Sequence, residues 1–260
     1  MSENEGDLYA VPEVVTDPGD CSFYHVMELP EIGLVGGQWD LRLTVDRYLG
    51  GFNFEGKRAL DVGTASGFLT FEMESRGASV VSVDLVSGDQ WDIVPYVSAD
   101  FDLSQELLFR QRSFARLKRA YWLAHRLLQS RAAVYYGNIY ELPSALGLFD
   151  VVVLGSILLH VRDPFKALQS ACRLSRGAVI VTDVFFDAKD PIMQFVPDWT
   201  SLSPRETWWR ISETCMVQML KTLGFPDVTV TRAEHRVHHH KTLQAIECST
   251  YVGRRSPGGA

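Results

Sequence analysis

Asp61, Gly63, Ala65 and Gly67 stand at alternate positions in the stretch DVGTASG, between an apolar run and a helical pattern. Small residues let a ligand approach the main chain. The start of a helix adds unpaired N–H groups and the positive end of its dipole. The chemistry implied is the holding of a polar or anionic nucleotide-like molecule. The dinucleotide fingerprint GxGxxG is not met, because Gly63 and Gly67 are four apart with Ala65 between them. A phosphate-binding P-loop also fails, since no Lys followed by Ser or Thr closes the turn.

Other residues bear on chemistry beyond holding. Asp84 ends the run VVSVDL, and a carboxylate there is able to accept two hydroxyl hydrogen bonds at once. His160 follows an apolar strand-like run; its imidazole titrates near neutrality and would suit a general base, while the plainer reading is a histidine that caps the Asp163 turn. Asp183, at the end of a later strand, is a second choice for the same role. Trp39, Trp208 and Trp209 would wall a planar substrate or pack a core, and Arg205 would hold a carboxylate or phosphate. The run HRVHHH, His235 to His240, puts His238 and His240 on one face of a strand, but no carboxylate or cysteine partner stands at a metal-like spacing. A polar edge turn is the simpler account, and no metal is expected.

The elements that must position these groups alternate. RALDVG, SVVSVDL, AVYYGN, DVVVLGS and AVIVTDV read as short strands apolar on both faces. Helical patterns run over 66–76, 164–174 and 212–223, the last stopped by Gly224 and Pro226. This is the pattern of a parallel sheet covered on both sides, an α/β doubly wound, Rossmann-like fold. Two further runs, DVTVTRAEHRV and KTLQAIECSTYVG, predict an antiparallel hairpin at the edge of a mostly parallel seven-stranded sheet.

Residues 1–55 read as a covering segment, with a helix over 44–49, and 56–253 as the main domain. The connection 86–131 is far longer than usual and reads as a helical insertion that shapes or covers a pocket. Its amphipathic stretch carries Arg110, Arg112, Arg116, Lys118, Arg119 and Arg126, which read either as an attractant for an acidic group or as a solvated face. Residues 254–260 read as a disordered tail.

At 260 residues the chain supports one elaborated domain. A formal net charge of -7 argues against a large nucleic-acid footprint. Cys21, Cys172, Cys215 and Cys248 form no CxxC pair and fit reduced thiols. The acidic start shows no secretory signal, and no apolar run approaches the roughly 20 residues of a membrane span, so a cytoplasmic location is expected.

Taken in order, the motifs resemble those of class I S-adenosylmethionine-dependent methyltransferases. DVGTASG resembles their first motif, with Ala65 in place of the middle glycine; Asp84 falls where the family's acidic residue receives the ribose hydroxyls; GNIYELP falls where the adenine is placed; and FDVVVLGSILLHVRDPFKAL matches the fourth-strand block. The resemblance covers about 56–183 and implies S-adenosyl-L-methionine as cofactor. It assigns Asp61, Gly63, Thr64, Ala65 and Gly67 to the cofactor loop. Asp84, Leu85, Asn138 and Ile139 fall to the adenosine, and Gly155 and Ser156 to the fourth-strand end.

QWDLR, LLHVRDP and RETWWRISETCMVQMLKTLGFPDVTV are similar to a branch that includes tRNA wobble-uridine carboxymethyltransferases and related bacterial methyltransferases. Those tRNA enzymes carry a tyrosine before the histidine of the fourth-strand block; this chain has Leu159, which departs from use of a carboxylated cofactor. The implied function is methyl transfer to an oxygen or nitrogen of a small molecule, with His160 and Asp183 as catalytic choices and Trp39, Arg205 and Trp208 toward the acceptor. The alternatives are a tRNA-modifying enzyme and a non-catalytic cofactor-binding module.

Overall fold

A computed structural model describes residues 8–239 and 242–256. His240 and residues 257–260 of the expected tail lie outside them, whereas Arg254 pairs with Asp227 and Arg255 donates to the Ser175 and Cys172 carbonyls, so these first residues of the stretch expected to be disordered are held in place. In chain order the elements are β1 (Met27–Leu29), β2 (Gly33–Val35), β3 (Trp39–Asp40), α1 (Val45–Tyr48), β4 (Arg58–Val62), α2 (Phe68–Ser75) and β5 (Ser79–Asp84). Then come α3 (Leu103–Leu127), β6 (Ala133–Tyr136), β7 (Phe149–Gly155), α4 (Pro164–Cys172) and β8 (Ser175–Val184). The chain continues with β9 (Met193–Phe195), β10 (Trp209–Ile211), α5 (Glu213–Thr222), β11 (Asp227–His239) and β12 (Thr242–Arg254).

The main sheet runs β3-β11-β12-β8-β7-β4-β5-β6, with the five strands β4 to β8 parallel and the hairpin β11–β12 antiparallel to them. Eight strands stand where seven were expected. The eighth is the two-residue β3, whose Trp39 and Asp40 pair with Val237 and Arg236, so it covers the outer edge of the hairpin. Two small sheets, β1–β2 and β9–β10, lie outside it.

Period-two alternation explains why the central strands are apolar throughout. Ala59, Val151, Val153 and Ile180 join the core beneath α1, α2 and α3, whereas Leu60, Val152, Leu154, Val179 and Val181 join the core beneath α4 and α5. Each helix therefore buries one stripe against one face of the sheet. Asp102, Asp163 and Ser212 cap α3, α4 and α5 by accepting from Gln105, Lys166 and Cys215 main-chain N–H groups.

The long connection divides into two parts. The second half of α3 buries Ala120 to Ala124 and Leu127 in the core and is the crossover between β5 and β6. The first half and the 85–102 loop extend past the carboxyl ends of the strands. Among the described residues no helix is long and apolar enough to cross a membrane.

Candidate active site

β4 and β7 leave the sheet in opposite lateral directions, β4 pairing with β5 on its other side and β7 with β8. A crevice opens at the carboxyl ends of strands where such a switch occurs. Here it is a cleft of about 390 Å³.

The loop after β4 is held in unusual backbone geometry. Gly63, Ala65 and Gly67 all have positive φ, at 81, 51 and 89 degrees. A Cβ on Gly67 would come within 2.5 Å of the Phe71 ring and 2.8 Å of Tyr121, and one on Gly63 would touch Ile157 at 3.0 Å. Ala65 accepts a left-handed conformation that costs a non-glycine residue about 1 kcal/mol or more. Its N–H donates to Asp84 Oδ2 at 2.8 Å, which holds it there. Under the loop, Asp61 Oδ2 accepts from the Thr70 hydroxyl at 2.6 Å, within a chain of hydroxyls that joins Thr64, Ser82 and Tyr121. Asp61 Oδ1 is buried without a partner, and burial raises the carboxyl's pKa.

Asp84, at the end of β5, lines the cleft. Besides Ala65 it accepts the N–H of Leu85 at 2.8 Å. Burial pushes its pKa up to about 6, against the lowering effect of those two N–H donors. Two carboxylate oxygens that have each accepted one bond retain lone pairs for two more donors. Leu85, Ile139, Phe114 and Leu117 supply apolar wall beside it. Asn138 turns the chain after β6 by accepting the Tyr140 N–H. At the end of β7, a Cβ on Gly155 would meet Leu69 at 2.7 Å, and Ser156 accepts from the Tyr48 hydroxyl at 3.1 Å.

The opposite portion of the wall comes from further away in sequence. His160 donates Nδ1–H to the main-chain carbonyl of Glu206 at 2.7 Å and meets the Trp91 ring edge-on. Burial lowers its pKa, outweighing the Glu206 carbonyl and carboxylate that favour the charged form. Glu206 accepts from Arg110 at 2.9 Å, Arg110 donates to Glu106 at 2.8 Å, and Arg205 donates to the other Glu106 oxygen at 2.8 Å. This network fastens α3 to the 205–207 segment. Tyr24, His25, Gln38 and Trp39 complete the wall, with Ser66 accepting the Tyr24 N–H and Trp39 Nε1–H donating to the Tyr24 hydroxyl.

Of the residues singled out from sequence, Gly63, Thr64, Ala65, Asp84, Leu85, Asn138, Ile139, Gly155, Ser156, His160 and Trp39 line the cleft together. Asp61 and Gly67 instead support the loop from beneath. Asp183 lies behind the wall, 8% exposed, and accepts the main-chain N–H groups of Val184 and Leu159; burial raises its pKa to about 7. Arg205 is committed to Glu106. Trp208 donates to the Asp92 carbonyl under the Arg162 guanidinium, and Trp209 packs on Phe195. Neither faces the cleft. His235 does not line it: its Nδ1 bonds Thr44 and its ring packs edge-on against Tyr48.

The basic stripe of α3 is largely spent on the protein itself. Arg116 donates to the Gly19 and Cys21 carbonyls, Arg126 to Val15, and Lys118 to Val86 while covering the Tyr136 ring.

Tyr24, His25, Gln38, Trp91, Tyr140, Glu206 and Thr207 line the cleft without having been singled out for it, and Arg110, named as an attractant for an acidic group or part of a solvated face, lines it too. The one local signal was the Gly36-Gly37 pair before Gln38, since a Cβ on Gly37 would lie 2.3 Å from the His25 carbonyl carbon.

No curated protein sequence matches the chain. Solved structures do. The N-terminal domain of EvdMO1 in the presence of SAH and D-fucose matches with a TM-score of 0.53 and 18% identity, over 89% of this chain and 90% of that one. Magnesium protoporphyrin IX methyltransferase from Synechocystis PCC 6803 with bound SAH gives 0.50 and 14%, over 82% and 80%. The 1,6-didemethyltoxoflavin-N1-methyltransferase of Burkholderia thailandensis gives 0.50 and 16%, over 83% and 78%. At such identities the likeness is one of fold. The family model described as a methyltransferase domain matches residues 40–230. The chain belongs to that family and is a class I S-adenosylmethionine-dependent methyltransferase.

Proposed function

We propose that the chain methylates an oxygen or nitrogen of a small-molecule acceptor, with His160 as the base that receives the acceptor's proton. The observation that carries this is the shared cleft: His160 and Asp84 line one cavity, whose volume lies in the range of small-molecule sites, roughly 300–1,000 Å³.

The residues present fit the donor. Asp84 keeps lone pairs for two ribose hydroxyls, and the open backbone of Gly63 to Ala65 leaves room for a ligand against the loop. Leu85, Asn138 and Ile139 would hold the adenine, and Gly155 and Ser156 the β7 side. When bound, S-adenosylmethionine supplies an electrophilic methyl group. The protein's task is alignment, exclusion of water and removal of one proton. With Nδ1–H committed to Glu206, neutral His160 offers Nε2 as a lone-pair nitrogen.

Asp183, whose bonds run to the main chain around Leu159, would position the His160 turn. Arg205 and Trp208 would brace the acceptor wall from behind, and Trp39 would form part of it. The reading against RNA draws support from the net charge of -7 and from the internal use of the α3 cations. Leu159 supports an uncarboxylated donor.

The test is incubation with methyl-labelled S-adenosylmethionine and, separately, a panel of hydroxylated and aminated small molecules and total tRNA. Label in a small-molecule product, lost in His160→Gln, is expected. Label confined to tRNA would replace this reading with the RNA one. Tight binding of S-adenosylhomocysteine with no label in either pool would favour a non-catalytic module.

A further inference from the structure

His25 and His160 both line the cleft, and their surroundings assign them opposite tautomers. His160 donates Nδ1–H to the main-chain carbonyl of Glu206, so its Nε2 accepts. His25 comes from the N-terminal segment, its main-chain N–H on the Ser66 hydroxyl and its ring stacked on Phe68 at 5.3 Å. Its Nδ1 is sealed from solvent with no hydrogen-bond partner. A bare lone pair is tolerated there better than an N–H, because an orphaned buried donor is the rarer and costlier fault. The proton of neutral His25 therefore sits on Nε2, the ring nitrogen left to face the cleft. Burial pushes the His25 pKa down to about 3, so the ring stays neutral and serves as a donor rather than a base.

Resting on the methyl-transfer reading above, we infer that His25 orients the acceptor by donating a hydrogen bond, and that the acceptor is an uncharged ring compound that carries a second oxygen besides its reacting hydroxyl. His25 Nε2–H holds the second oxygen, while His160 Nε2 faces the reacting hydroxyl. In the step, that hydroxyl oxygen bonds the methyl carbon as the carbon–sulfur bond breaks with its electron pair left on sulfur. The hydroxyl proton passes to His160 Nε2, and His25 keeps its own.

The rest of the wall agrees with this class of acceptor. Tyr24, Trp39 and Trp91 offer flat aromatic surface suited to a ring. Arg110 is the one Lys or Arg among the described lining residues, and it is already paired with Glu106 and Glu206. Asp92 is likewise taken by the Tyr140 hydroxyl and the Arg162 N–H. Among the described lining residues no unpaired cation is left for an anionic acceptor, and the carboxylates on this side, Asp92 and Glu206, already face Arg162 and Arg110.

Two measurements test the proposal without turnover. Nitrogen-15 spectra of histidine-labelled protein at pH 7, with His25 assigned by loss of its signals in His25→Phe, should show the Nε2–H tautomer. Calorimetry on the S-adenosylhomocysteine complex should show catechol binding at least tenfold tighter than phenol, with benzoate failing to bind. His25→Phe, which keeps the stacking on Phe68, should bring catechol down to phenol's affinity, and His25→Gln, whose amide N–H replaces Nε2–H, should restore most of the difference. An Nδ1–H tautomer overturns the proposal, as does equal binding of catechol and phenol or an unchanged ratio in His25→Phe. Failure of S-adenosylhomocysteine to bind at all would strike the donor reading instead, and the tautomer of the free protein would still decide the role of His25.

Discussion

The Nδ1 of His160 lies 2.7 Å from the main-chain carbonyl of Glu206, a residue 46 positions away that the Arg110–Glu106–Arg205 network holds in place. A carbonyl only accepts, so this contact fixes which imidazole nitrogen is free to take a proton. General bases contribute about 10²–10⁴-fold to rate. His160→Gln is expected to lower kcat by about 100-fold or more while leaving S-adenosylhomocysteine affinity within about threefold, because the side chain bonds the wall and not the loop. Burial keeps the His160 pKa below its ordinary value. The wild-type rate should therefore rise with pH through a pKa under 6.5 and then level off, and the variant should lose that limb. A variant rate within threefold of wild type would leave alignment as the whole of catalysis.

Asp84 makes a separable prediction about the donor. Its carboxylate holds the Ala65 and Leu85 N–H groups, and two ribose hydroxyls would bond the remaining lone pairs. Hydrogen bonds to a charged group are worth about 1.5–3 kcal/mol each, so Asp84→Ala should weaken S-adenosylhomocysteine binding by roughly 100-fold or more. With a pKa near 6, the wild-type affinity should be level above pH 6 and fall by up to about tenfold per unit below it, as the acceptor becomes protonated. Calorimetry at pH 5, 6 and 8 checks both; unchanged affinity in the variant would remove Asp84 from the donor site.

Glu106 is buried between two guanidiniums, its side chain 6% exposed. Breaking a buried ion pair by removing one partner leaves uncompensated charge and costs about 3–5 kcal/mol when fully enclosed. Arg205 is half exposed, so the effect here should be smaller, about 2 kcal/mol. Glu106→Gln should lower the urea midpoint accordingly and raise the acceptor KM, since Glu206 and its hold on His160 would loosen. Donor affinity should stay within threefold, which separates local loosening from general damage.

The donor half of the site was legible because its signals are local. A carboxylate, small residues and a following helix fall within one turn in DVGTASG, and Asp84 ends a strand whose apolar alternation is plain. The acceptor half was not, because long-range contacts create it. His25 reaches the cleft through a bridge to Trp39 and the close approach of Gly37, and neither leaves a periodic trace. Arg205 and Trp208 had the right chemistry for a substrate wall, but Glu106 and the Asp92 carbonyl, 99 and 116 residues away, claim them. The same holds for β3: two residues are too few to show a strand period, and only the pairing with Arg236 and Val237 makes them one.

Asp183 gives a pH signature in which burial outweighs the lowering effect of the Val184 and Leu159 N–H groups. Its pKa of about 7 stands well above the roughly 3.9 of an unfolded aspartate. Between those values the native state binds a proton that the unfolded state does not, so this group's contribution to stability is full at low pH and is lost as pH rises toward 7, by about 1.4 kcal/mol per unit. His25, at about 3, and His235, at about 4, act in the opposite sense, because the unfolded histidines take up protons below about 6.5 while the native ones do not. The wild-type slope is thus a partial cancellation, and the difference between wild type and Asp183→Asn isolates the carboxyl. Asparagine gives up one of the acceptors used by Val184 and Leu159, a cost that is the same at every pH. Relative to wild type, the variant should therefore gain roughly 2 kcal/mol between pH 5 and pH 7.5 in urea unfolding. A difference that does not change with pH would mean that Asp183 titrates like an ordinary surface carboxylate, and that the wall behind His160 is wetter than its packing implies.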